Sequence, residues 1–164
     1  MKRYGFAWIF LGLLLAACQS AAPVDPVQEA AQELVIPPVP TLSASEIALG
    51  ERVYIEQCAS CHGPNLEGEA EWKNRNEDGS FRAPPHDATG HTWHHSDDQL
   101  LDAVRLGGAR LAENMGAVSG MPAFSDTLSD EEIRAVLDYI KSSWPDDVRR
   151  MQWEATVRMR ARDQ

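Results

Sequence analysis

Cys58-Ala59-Ser60-Cys61-His62 constrains this chain more than any other stretch. Two thiols three residues apart, followed at once by an imidazole, admit few chemistries. A disulfide, a zinc half-site and a thioredoxin-like redox pair all use Cys-x-x-Cys. Structural zinc wants a second cysteine pair, and Cys18 is the only other thiol. A thioredoxin-like pair wants βαβ patterning, and none surrounds this motif. A disulfide formed in an export compartment stays open.

The whole pentapeptide is the attachment pattern of a c-type haem. Each thiol can form a thioether with a haem vinyl group, and His62 can supply an axial nitrogen to the iron. The motif occurs once and no internal repeat is visible, so the chain is expected to carry one covalent haem c on Cys58 and Cys61. Redox chemistry leads the functional hypotheses.

The N-terminus points to export. Lys2 and Arg3 form a positive flank, and Gly5 to Ala17 form an apolar run too short to span a bilayer comfortably. Leu15-Ala16-Ala17-Cys18 resembles a bacterial lipobox, which implies cleavage before Cys18 and lipid on its thiol. Residues 1–17 are therefore expected to be a lipoprotein signal peptide. More than one acyl chain makes membrane residence stable. The expected location is the bacterial envelope, anchored to a membrane and facing the periplasm or the exterior. Residues 18–42 hold Pro23, Pro26, Pro37, Pro38 and Pro40. Prolines this dense forbid a continuous helix and favour extended segments, so a tether is expected there, spanning roughly 25–30 Å or more.

The chain has 15 Lys+Arg against 25 Asp+Glu. Loss of Lys2 and Arg3 with the leader leaves 13 bases against 25 acids, a net of −12. Such a surface excludes nucleic acid as a natural partner and favours basic docking patches on partner proteins. A monomer is expected.

Three segments open with a Ser followed three residues later by Glu or Gln, the capping-box signature. They are Ser43 to Glu46, Ser96 to Gln99 and Ser129 to Glu132. The first helix runs into Cys58, the second stops at Gly107-Gly108, and the third stops near Trp144-Pro145. Apolar residues recur at i, i+3, i+4 and i+7 behind each box, and no strand alternation appears. A fourth helix is expected after Pro145, with Val148, Met151, Ala155 and Met159 on one face. Its arginines make a basic tail that can fold back on the acidic domain, dock a partner or touch lipid.

With these pieces in place, residues 43–143 resemble a class I cytochrome c. The resemblance implies an all-α fold: three main helices around one covalent haem, here with a C-terminal helical extension over residues 144–164. It implies that the Cys-x-x-Cys-His helix crosses the last main helix, with Gly50 and Tyr139 as the small and aromatic residues of that crossing. It also implies a sixth iron ligand, a Met from the loop before the last main helix. Met121 in Gly120-Met121-Pro122-Ala123-Phe124 stands there, and Met115 in the same loop is the alternative. A thioether is a soft neutral donor, and His/Met ligation raises the reduction potential. Pro122 fixes the backbone after the ligand, and Phe124 can pack near the haem. The family holds its axial His through a proline carbonyl; Ala83-Pro84-Pro85-His86 resembles that segment, with Pro84 the better match.

His86, His91, His94 and His95 surround Trp93 within ten residues. Trp93 is expected at the haem edge, where His or Trp donors can hold propionates. The four imidazoles also offer a possible second metal site for copper or zinc.

The function expected is a single-electron carrier between redox proteins of a respiratory chain, with no bond chemistry on a substrate. Two alternatives stay open: a haem sensor or small peroxidase with a displaceable Met121, and a copper-handling protein that uses the histidine loop.

Overall fold

The computed structural model describes residues 34–109 and 118–164. The leader, Cys18, the first part of the tether and Met115 lie outside the described residues. Five helices are described: α1 (Ala44–Val53), α2 (Ala59–His62), α3 (Asp97–Leu106), α4 (Asp130–Ser142) and α5 (Asp146–Arg162). A π-helical turn, Tyr54–Cys58, joins α1 to α2, and Thr92–His94 forms a 3-10 turn. Among the described residues, β pairing amounts to two isolated bridges, Arg75 with Phe81 and Phe81 with Ser119.

Two of the three capping boxes form. At α3 the Ser96 hydroxyl accepts from the Gln99 N–H and the Gln99 side chain accepts from the Ser96 N–H. Ser129 and Glu132 do the same for α4. The first box does not form. Ser43 makes no side-chain cap, because its hydroxyl is paired with that of Ser45 at 2.7 Å. A hydroxyl two residues away has displaced the reciprocal partner that the sequence signature assumes.

Helices α1 and α4 cross at Gly50. A Cβ at Gly50 would collide with the Ala135 carbonyl and press on Tyr139 Cβ, so only hydrogen fits. Ile133, Val136, Leu137 and Ile140 fill the core side of α4 at the expected helical spacing. Each such side chain contributes about 1.5–3 kcal/mol on burial. Val53, Tyr54, Leu100, Val104 and Phe124 complete the contact with α1 and α3.

The buried stripe of α5 differs from the one expected. Val148, Gln152 and Thr156 are buried, whereas Met151 is 44% exposed. The helix lies against a polar wall, the start of α3 and the loop before it. Gln152 Nε2 donates to the His95 carbonyl at 3.1 Å and to Asp97 Oδ1 at 2.8 Å. The Asp97 N–H donates to Thr156 Oγ1 at 3.0 Å. Arg160 grips both carboxylate oxygens of Asp98, at 2.8 and 3.1 Å. The basic tail thus folds back on the acidic domain.

The proline-rich arm is not independent as far as residue 42. The compact unit begins at Leu34. Trp153 Nε1 donates to the Pro37 carbonyl at 2.9 Å, and Arg149 donates to that of Pro40 at 3.2 Å. Residues Val39 to Leu42, with Lys141, Arg149 and Trp153, enclose a cavity of about 140 Å³. Proline carbonyls that have no local N–H to serve become acceptors for α5.

Candidate functional site

His62 ends α2 and is 8% exposed. Its Nδ1 lies 2.9 Å from the Pro84 carbonyl. A carbonyl only accepts, so Nδ1 carries the proton and Nε2 keeps its lone pair. Burial pushes the His62 pKa below its usual value, opposed by the Pro84 bond and by the charge of Glu69. A buried, neutral imidazole with one nitrogen tied is the metal-binding form of histidine.

Local backbone bonds set that ring. Gly63 turns the chain at φ +78°. Tyr54, fully buried, donates its hydroxyl to the Gly63 carbonyl at 2.8 Å and the His62 carbonyl at 3.2 Å. The Gly68 N–H also donates to the His62 carbonyl, at 2.7 Å. At Gly68 (φ +68°) a Cβ would strike the backbone of Pro84 and Pro85, so glycine permits this loop to lie against the carbonyl that holds His62. Pro85 itself is buried.

Cys58 is partly buried and Cys61 exposed. Burial, and then the charge of Cys61, push the Cys58 thiol up to about 11. Met121 is partly buried and packs against the core. Its N–H donates to Ser119 Oγ at 3.3 Å, and its carbonyl accepts from the Gly108 N–H at 2.8 Å. Phe124 is buried three residues later, its N–H on the Val104 carbonyl at 3.1 Å.

Two buried donors have no hydrogen-bond partner among the described residues: Trp93 Nε1 and Arg82 Nε. An unpaired buried N–H is costly, so each calls for an acceptor from outside the described residues, and a bound group can supply it. Haem carries two propionate carboxylates. A thiol pair, a neutral imidazole, a thioether and two unserved donors are the donor set that haem c needs, and the residues present fit it. Arg82 was not singled out from the sequence. Its only signal there is a cation two residues before Pro84.

The four imidazoles of the loop have different ring partners. His86 stacks on His62 with ring centroids 4.0 Å apart, and its Nδ1 pairs with Thr92 Oγ1 at 2.8 Å. Burial first, then the charges of His62 and His91, hold the His86 pKa well below the ordinary range. His91 stacks on Trp72 at 5.2 Å and meets His95 edge-on at 5.6 Å, while His94 stacks on Trp93 at 3.7 Å. Among the described residues no three His, Cys, Asp or Glu side chains gather as a metal site, so the second metal centre contemplated for His86, His91, His94 and His95 has no donor cluster here.

The model of one protein family, described as cytochrome c oxidase, cbb3-type, subunit III, matches residues 45–140. No curated protein and no solved structure gives a significant match. The matched span opens with α1, contains the thiol pair and His62, and closes at Ile140 near the end of α4. The chain therefore belongs to that family, and its helical domain is a monohaem class I cytochrome c domain that binds covalent haem c and serves electron transfer.

Proposed function

We propose that this chain is a lipid-anchored electron carrier of the bacterial envelope, with haem held by Cys58 and Cys61 and its iron held by His62 and Met121. The observation that carries this reading is the 2.9 Å bond from His62 Nδ1 to the Pro84 carbonyl. It leaves a buried, neutral Nε2 directly after a thiol pair, with Cys58 at the end of the π-helical turn and Cys61 on α2. When bound, the haem supplies a one-electron Fe(III)/Fe(II) couple.

The protein's own groups do the rest. Pro84 and Tyr54 fix the imidazole and the turn that follows it. Met121 offers a neutral, soft sulfur that favours Fe(II). Trp93 and Arg82 would offer their unserved N–H groups to the haem carboxylates. Pro85 and Phe124, both buried, would help keep water from the group. Were His62 and Met121 both to hold the iron, no coordination site would remain for a substrate, which argues for a carrier over a sensor or peroxidase.

Lipid on Cys18 supplies the anchor, and the arm that docks on α5 through Pro37 and Pro40 joins that anchor to the domain. A net charge of −10 over the chain favours partners with basic docking patches. The family's description names an oxidase subunit, which favours delivery of electrons towards a terminal oxidase.

The test is Met121→Ala in the full chain. The Met–iron charge-transfer band should vanish, the reduction potential should fall, and the reduced protein should bind CO quickly. Survival of the band in that variant refutes the ligand assignment. Cys18→Ser should move the protein from the membrane to the soluble fraction; unchanged membrane retention refutes the anchor.

A further inference from the structure

The histidine loop leaves one residue in a place that its neighbours do not share. His86 is fixed at every polar group that the structure pairs. Its N–H donates to the Leu66 carbonyl at 2.8 Å, and its carbonyl accepts from Trp144 Nε1 at 2.7 Å. Its Nδ1 is paired with Thr92 Oγ1 at 2.8 Å, and Thr92 in turn reaches the Pro85 carbonyl at 3.4 Å. Tyr54 closes one side, edge-on at 6.4 Å and 74°. One face of the ring is left to His62, at 4.0 Å between centroids and 22° between planes.

That geometry has a consequence for the axial ligand. The bond to the Pro84 carbonyl fixes one nitrogen of His62, but a single N–H···O contact leaves the ring free to turn about that axis. A second planar group stacked on the ring restricts that freedom, because turning His62 would open the stacked contact. Position 86 lies two residues after the carbonyl that holds His62, so both restraints come from one short segment.

We propose that His86 is a positioning residue that sets the plane of the axial imidazole of His62, and with it the orientation of the iron's ligand orbitals. This rests on His62 being the axial ligand. The planar ring matters here; mere filling of the space does not suffice.

The test uses full-chain ferric holoprotein and two variants that both fill the site, His86→Phe and His86→Leu. The unpaired spin of low-spin ferric haem spreads over the ring methyls according to the plane of the axial imidazole. With Met121 common to all forms, differences among them in the hyperfine-shifted methyl resonances of the proton NMR spectrum report a change in that plane. H86F should keep the wild-type order and spread of the methyl shifts, and H86L should rearrange them, with the optical spectrum of both unchanged. A wild-type pattern in H86L, or equal displacement in H86F and H86L, overturns the proposal. If H86L fails to take up haem, His86→Met fills the site without a planar ring in its place: displaced methyls support the proposal and unmoved ones overturn it. Failure of the ligand reading looks different, since wild-type protein would then lack a low-spin, histidine-ligated ferric spectrum before any variant is made.

Discussion

Tyr54→Phe removes one hydroxyl and leaves the packed ring in place. That hydroxyl donates to the carbonyls of Gly63 at 2.8 Å and His62 at 3.2 Å. The size of the effect turns on whether those acceptors are then stranded. They are not: the Gly68 N–H still serves the His62 carbonyl at 2.7 Å, and the Leu66 N–H serves that of Gly63 at 3.2 Å. The loss is therefore about 1–1.5 kcal/mol, the net worth of a made hydrogen bond, and stays below the penalty of about 3 kcal/mol that stranded carbonyls can reach. Alkaline pH supplies a second, independent lever. Burial first, with neighbouring negative groups adding to it, holds the Tyr54 pKa far above its ordinary value. A phenol whose folded pKa is raised contributes fully below the unfolded pKa, about 10, and loses that contribution as pH rises towards the folded value. The unfolded chain releases the proton first, so wild-type stability falls by about 1 kcal/mol between pH 10 and 11 relative to a chain without this phenol. Urea unfolding of ferric holoprotein by circular dichroism should show Y54F less stable at pH 7, with the gap nearly closed at pH 11. A loss well beyond 3 kcal/mol, or a gap that stays constant to pH 11, refutes the reasoning.

Gly50→Ala should cost about 1–3 kcal/mol despite alanine's better helix propensity, because the added methyl meets the Ala135 carbonyl across the crossing; thermal unfolding checks it. Gln152→Ala should cost about 2 kcal/mol, since its buried amide serves both the His95 carbonyl and Asp97; urea titration reads it. Arg160→Ala should cost under about 1 kcal/mol, the pair with Asp98 being exposed. The Arg160 bond lowers the Asp98 pKa, so that contribution is present above the unfolded pKa of about 3.9 and disappears as pH falls below it; wild-type and R160A stabilities should converge in acid.

What the sequence disclosed and what it hid divide along a physical line. The thiol pair and the boxes at Ser96 and Ser129 are local patterns, the Pro84 segment and the Gly50 crossing came from the family resemblance, and the folded chain contains each of them. The box at Ser43 was hidden by a competitor, the Ser45 hydroxyl, which a fixed-spacing signature does not weigh. The face of α5 was misread because periodicity counts apolar residues, and Gln152 and Thr156 turn inward only because the wall they meet is polar. Arg82 carries no spacing signal at all; its burial without a partner is a property of the fold. The four imidazoles look alike in sequence and differ only in tertiary neighbours, so nothing before folding separates His86 from His94.

Asp97 shows why the last helix belongs to the site and is no appendage. It is the first residue of α3, and its Oδ1 accepts from Lys141 on α4 at 2.7 Å and from Gln152 on α5 at 2.8 Å. Its N–H is held by Thr156. The Asp97 and Lys141 side chains are only 19% and 15% exposed, so their attraction is offset by lost hydration, and the pair contributes position more than stability. What it positions is the segment just before it. Trp93 lies four residues upstream, bracketed on one side by the Pro84–His86 segment through Thr92 and on the other by α5 through the His95 carbonyl. A small domain cannot order such a loop by apolar burial alone. The buried polar stripe of α5 contributes to that work, and because α5 packs against the Thr92–His94 turn it helps set where the unserved Trp93 donor stands.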